Sequence, residues 1–407
     1  MTSGGAGQER NRLNGGVLAL AVAIWTLAML WLAVASGPQH DYYSYLEQWK
    51  LVLSGANPWA ADNAYGPLHN ALAPLTAFGP LGPKLVIAAA FLIANICLVR
   101  ELYKSGGLRA VCGIYLLAIP ANVLIVSVAI IYGINDALVA AFVIFAVLAR
   151  HSERLVMSGA MLGLAVLLKY YPAVLVPAFA FGLGRNGWRL IASAAIVTLI
   201  GCAVGFTIWG ADVFTALAYG SSREPKLMSL LAALSAYPNL IGGPDIVAAL
   251  IKTNSLFVIA ATALAVFATW KLKISWLESS VICVLVMFAA YKVGHQQFFV
   301  TWLALVAALP LLNTESSKRL AWICLPFVLF LSAYQWGYAY GSDNYRETLG
   351  NVRSAGGFVA FGLAAMTIAA SFAIYRPGAQ NRMGQKSKAR KIPRDTDRRS
   401  SRGRVRS

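Results

Sequence analysis

Charge is scarce in this sequence. Asp, Glu, Lys and Arg make up 12% of its 407 residues while 58% are hydrophobic, which excludes an ordinary water-soluble domain and names lipid as the solvent. Acids are the scarcer sign, 16 against 34 basic residues. The net charge of +18 would suit a nucleic-acid binder, but residues 376–407 alone hold twelve Lys or Arg against Asp395 and Asp397, so more than half of the excess lies in a tail. That tail has almost nothing apolar to bury and is expected to stay disordered. A polybasic stretch directly after a span marks a cytoplasmic end, and no nucleic-acid partner is expected. Cysteine is also sparse: Cys97, Cys112, Cys202, Cys283 and Cys324 lie in or beside apolar runs, without the close pairing of a metal site. The first apolar run, from about Val17, ends in SGPQHDYY and lacks a small-residue cleavage pattern. It reads as an uncleaved first span.

Apolar stretches that cross or nearly cross a bilayer lie near 17–35, 84–100, 109–127, 135–149, 189–209, 254–270, 276–291, 297–312, 319–336 and 356–375. Positive charge sorts their connections. Arg10/Arg12, Arg100/Lys104/Arg109, Arg150/Arg154, Arg185/Arg189, Lys271/Lys273, Lys318/Arg319 and the tail fall at alternate ends, the cytoplasmic ones by the positive-inside rule. Arg154 and Arg185 are then on one side, so residues 155–182 cross an even number of times. The stretch is expected to be a hairpin of two short helices turning at KYYP, each arm only about 20 Å long. The fold class is all-α, a polytopic membrane protein of about twelve spans with both termini cytoplasmic. Its organisation is a cytoplasmic N-terminus 1–16, a transmembrane module 17–375 and a basic tail 376–407. The longer polar segments then share the outer face, and the first of them is broken by NPW, YGP and FGPLGP.

His40 and Asp41 follow the first span directly, ahead of an amphipathic segment in which Tyr45, Trp49, Val52 and Leu53 suit the membrane surface. Asp41 is either a helix cap or a general base at the water–lipid boundary. Asn135 and Asp136, in YGIND, open the fourth span and are either a cap or part of a site. Lys169, in LLKYYP with Tyr170, sits at membrane depth, where a lysine costs about 2.5 to 3.5 kcal/mol at the bilayer centre unless an anion or the interface offsets it. Lys292, His295, Gln296 and Gln297 crowd one turn, AAYKVGHQQFFVTW, with more donors than a turn requires. Together these describe an outer cavity with a carboxylate on one side and cations on the other. That suits transfer of a group from a lipid phosphate, with the cations on the departing phosphate and the base taking a hydroxyl proton. Arg223, in the 210–253 loop, is a further candidate to meet the phosphate.

The order of these motifs resembles the GT-C glycosyltransferases, and within them bacterial polyprenol-phosphate-mannose-dependent alpha-mannosyltransferases and the catalytic subunit of the first GPI mannosyltransferase. HDYYSYLEQWKLVLSGANPW followed by AYGPLHNALAPL, with Tyr65, is similar to their first outer loop. IIYGINDALVAA, SGAMLGLAVLLKYYPAVLVPAFAF and HQQFFVTWLALVAALP resemble their later motifs over roughly residues 17–335. The resemblance implies a hexosyltransferase that inverts the anomeric centre, with Asp41 as the catalytic acid residue. It implies a polyprenyl-phosphate sugar as donor, most often mannose, a glycan or glycolipid as acceptor, and a bacterial plasma membrane with the site facing out. Where the GPI enzymes have aspartate-x-aspartate this chain has DYY, so one carboxylate replaces two, and no cofactor or metal is expected. A secondary transporter or a lipid-linked-sugar flippase is the alternative.

Overall fold

The computed structural model describes residues 4–39, 41–61, 63–106, 123–340 and 343–375, with side chains set aside at 4–14 and 340–355. The basic tail, His40, Cys112 and most of the expected 109–127 span lie outside the described residues. The helices in chain order are α1 Gly4–Ala35, α2 Asp41–Leu53, α3 Pro67–Asn70, α4 Gly82–Gly106, α5 Asn135–His151, α6 Leu155–Leu168, α7 Leu175–Ala180, α8 Gly187–Trp209, α9 Thr215–Ser222, α10 Leu230–Ala236, α11 Pro244–Lys271, α12 Trp276–Ala290, α13 Phe299–Ala308, α14 Glu315–Tyr340 and α15 Asp343–Ile374. Two-residue strands, β1 Lys226–Leu227 and β2 Val293–Gly294, pair in parallel.

This is an all-α polytopic membrane protein. Among the described residues six helices are long and apolar enough to cross a bilayer, or seven if the bent pair Val123–Ile131 and Asn135–His151 forms one span. Four shorter apolar helices accompany them. Burial separates two kinds of helix. Along α5 nearly every residue from Asn135 to Ala149 is buried, as a helix apolar all round must be when protein surrounds it. By contrast α1 exposes Leu20, Leu27 and Trp31, α8 exposes Leu199 and Ile208, and α11 exposes Leu256, Phe257 and Phe267, each beyond half of its surface. Apolar surface on this scale is covered by lipid.

The stretch 155–182 is a hairpin. After α6 the backbone opens at Lys169 (φ −146°, ψ 138°), a short 3₁₀ turn follows over Tyr171–Val174 with Pro172 in its first turn, and α7 returns toward the beginning of α6. There Arg150 donates to the Phe179 carbonyl at 3.0 Å and the Phe181 carbonyl at 3.3 Å. The arms are short, so they depend on helices packed around them. At the other end the hairpin tip meets the first loop. The Gly66 amide donates to the Leu168 carbonyl at 2.9 Å, and a Cβ on Gly66 would stand 2.3 Å from the Leu167 carbonyl oxygen, so only glycine admits this contact.

Helix α2 departs from the expectation that its aromatic stripe faces the membrane. Tyr42, Tyr45 and Trp49 are essentially fully buried against the rest of the loop, and Trp49 donates to the His69 carbonyl at 2.9 Å. An apolar stripe specifies burial, and here the first loop supplies enough partners of its own to cover it.

Candidate active site

Helix α2 presents Asp41, Ser44, Tyr45 and Gln48 to a cavity of about 830 Å³, the spacing of one helical face. The opposite wall is the hairpin tip, Lys169 to Tyr171, and the roof is Ala216 to Arg223. Gln297, Phe298, Phe288 and Tyr291 close the far side. Thus Asp41, Tyr65, Lys169, Tyr170 and Arg223, drawn from four separate stretches of sequence, line one space. Glu47 joins them as a second carboxylate. Asp41 is exposed.

Lys169 does not stand alone. Its Nζ donates to Asp136 Oδ2 at 2.6 Å, and the ammonium lies 4.9 Å from the Tyr65 ring centre and 4.7 Å from that of Phe298. Asp136 is fully buried behind it, with Oδ1 unpartnered. Asp136 is therefore the counter-ion of Lys169, and the cavity feels a nearly neutral pair. Removing either partner of such a pair costs about 3 to 5 kcal/mol.

Asn135 lies in a different network. Its Nδ2 donates to His69 Nδ1 at 2.5 Å, leaving Nε2 to donate to Gln48 Oε1 at 2.8 Å, while the Gln48 amide donates to the Ala61 carbonyl at 3.1 Å. His69 thereby joins α5 to the cavity wall of α2. Burial, the largest influence, lowers its pKa to about 3 against the bond from Asn135. A ring nitrogen that accepts has no room for a proton.

The turn at 292–297 also departs from expectation. Lys292 is 3% exposed, and its Nζ donates to the Ser221 carbonyl at 2.6 Å, so it anchors the roof and does not face the cavity. Gln296 is buried with its Nε2 unpartnered, and its neighbour Gln297 lines the cavity in its place. Tyr170 spends its hydroxyl on the Val213 carbonyl at 3.0 Å. His295 Nε2 accepts from Arg223 Nη2 at 2.9 Å. Burial, followed by the charge of Arg223, lowers the His295 pKa to about 3.

Sequence reasoning missed His69, Glu47 and Lys84. His69 stands inside YGPLHN, and a histidine among aromatic residues was its only signal. Glu47 lies six residues past Asp41 on the same helix. Lys84, at the start of an apolar run, is fully buried and donates to Ser36 Oγ at 2.8 Å and to the Gly37 and Ile131 carbonyls at 2.6 Å each. It ties the end of α1 to the approach to α5.

A second, apolar groove of about 650 Å³ runs between α7 and α11 past Ala173, Pro177, Thr262 and Val266. It shares Tyr170, Tyr171, Val258, Ile259 and Met287 with the polar cavity. Residues 63–291, more than half of the chain, match the family described as glycosyltransferase family 87. No curated protein matches the chain.

Proposed function

Because this chain belongs to glycosyltransferase family 87 and is a membrane glycosyltransferase of the GT-C type, we propose that it moves a hexose, mannose foremost, from a polyprenyl-phosphate sugar to a glycan or glycolipid hydroxyl with inversion. The observation that carries this reading is the junction of a charged cavity with an apolar groove at Tyr170 and Tyr171. A sugar phosphate on an isoprenoid tail is polar at one end and apolar at the other, and it needs both surfaces side by side.

In this reading Asp41 takes the proton from the acceptor hydroxyl. The freed oxygen attacks the anomeric carbon from the face opposite the phosphate, the bond from carbon to phosphate oxygen breaks, and polyprenyl phosphate leaves. Arg223 supplies the full positive charge that this leaving group needs. Lys169, already matched by Asp136, adds an oriented hydrogen-bond donor. The reaction needs no metal. The cavity faces outward from a bacterial plasma membrane, and residues 17–375 form the catalytic module with the 376–407 tail on the cytoplasmic side.

Purified full-length protein incubated with a panel of radiolabelled polyprenyl-phosphate sugars, in chelator, should transfer or hydrolyse the mannose compound. Asp41→Asn should lower that rate by about 10²- to 10⁴-fold, the usual contribution of a positioned base, while donor binding persists. A rate untouched by Asp41→Asn removes Asp41 from the chemistry, and a rate that vanishes in chelator and returns with magnesium or manganese ends the metal-free account.

A further inference from the structure

Arg223 is held in an unusual way for a cavity arginine. Among the described residues no carboxylate stands within ion-pair distance of it, and its guanidinium donates to a histidine nitrogen. The backbone on both sides is stitched down. Before it, Tyr291 donates to the Gly220 carbonyl at 2.9 Å and Lys292 to the Ser221 carbonyl. After it, the Lys226 amide donates to the Lys292 carbonyl at 3.1 Å and the Met228 amide to the Gly294 carbonyl at 3.3 Å. Gly294 allows this approach, since a Cβ there would lie 2.4 Å from the Ser229 nitrogen. The guanidinium stands 5.5 Å from the Tyr219 ring centre, while Arg223 itself lines the cavity.

The choice of acceptor matters. A carboxylate would orient the guanidinium and also cancel its charge, as Asp136 does for Lys169. A histidine nitrogen accepts one N–H and leaves the charge intact, with the remaining donors of the fork free for an anion. We propose that His295 is a positioning residue which, as a neutral acceptor, aims Arg223 at the donor phosphate without neutralising it. This inference rests on the polyprenyl-phosphate reading above. His295 does not itself touch the phosphate, and its influence on the donor passes through Arg223.

The test is affinity of the purified full-length protein for a sugar-free polyprenyl phosphate, which is independent of the sugar and of the acceptor. Arg223→Ala and His295→Leu should each weaken binding by about 10- to 100-fold, the range for a charged hydrogen bond. Combining them should weaken it no further than Arg223→Ala does, because serial action makes the second change redundant. His295→Gln, whose amide oxygen reaches the place of Nε2, should stay within about threefold of the parent. His295→Glu should bind as poorly as His295→Leu, because it holds the guanidinium and quenches it, so that the neutral amide of His295→Gln rescues binding and the charged isostere of that amide does not. Losses that multiply in the double variant, or a His295→Leu protein that binds normally, overturn the inference while the donor reading survives. A parent protein with no affinity for polyprenyl phosphate overturns both.

Discussion

His69 is neutral because of where its two ring nitrogens point. Nδ1 accepts from Asn135 and Nε2 donates to Gln48, and the ring packs 4.8 Å from Tyr65, 5.0 Å from Tyr45 and 5.1 Å from Trp49, centre to centre. A second ring proton would displace the Asn135 donor and bury a charge among aromatic rings. In the unfolded chain the imidazole titrates near about 6.5, against about 3 in the fold. Between those values the unfolded state binds more protons, so stability is whole above pH 6.5 and falls as the pH drops toward 3, by up to about 1.4 kcal/mol per unit. Melting of the detergent-solubilised protein from pH 7.5 down to 4.5 should show this decline. His69→Gln, which keeps one donor and one acceptor, should flatten part of it while His295 supplies the remainder. Parallel curves for parent and variant would mean that His69 is not the titrating group.

At the scale of elements, the fold converges on the tip of the α6–α7 hairpin, and the ion pair there joins two helices. Asp136 occupies the first turn of α5, where a helix favours an acid, and Lys169 ends α6. Asp136→Asn leaves a buried ammonium beside two aromatic rings and should cost about 3 to 5 kcal/mol. Lys169→Met should do similar harm by stranding the carboxylate, and the two changes together should restore much of the melting temperature without restoring transfer. If the double variant is as unstable as the sum of the singles, the pair does not act as a unit. Both motifs were visible in the sequence, YGIND and LLKYYP, and so was the cost of a lysine at that depth. Their partnership was not, because it depends on how α5 and α6 are rotated against each other. The same limit explains α2: Tyr45, Trp49, Val52 and Leu53 make one stripe whether lipid or protein covers it, and only the folded first loop decides between them. The turning point of the hairpin was legible because Arg154 and Arg185 on one side require an even number of crossings between them, and Pro172 lacks the amide that would carry a helix through the middle of the stretch. Lys292 was misread for another reason, since a buried ammonium can satisfy itself on a backbone carbonyl far away in sequence, here Ser221.

Across the whole molecule, charge and helix direction point the same way. α5 runs from the Asp41 end to Arg150, α6 returns from Arg154 to Lys169, and α7 comes back to Phe179 beside Arg150. α8 then climbs from Arg189 to Trp209, which packs on Trp59 of the first loop, and α11 descends to Lys271. Arg150, Arg154, Arg185, Arg189, Lys271 and Lys273 therefore gather at the end opposite the cavity, which the positive-inside rule assigns to the cytoplasm. The gathering of loop charge at one end of the helices was legible in the sequence, whereas the number of crossings depends on which short helices protein neighbours hold in place. The inference is open to a direct measurement on intact cells. In a background with the five native cysteines replaced, Ser54→Cys on the exposed end of the α2 turn should react with a membrane-impermeant maleimide, and Asn186→Cys between α7 and α8 should react only after the membrane is opened. The reverse pattern would turn the cavity toward the cytoplasm, where acceptors bound for the cell surface would have to be glycosylated before export, and the outward-facing account would fall with it.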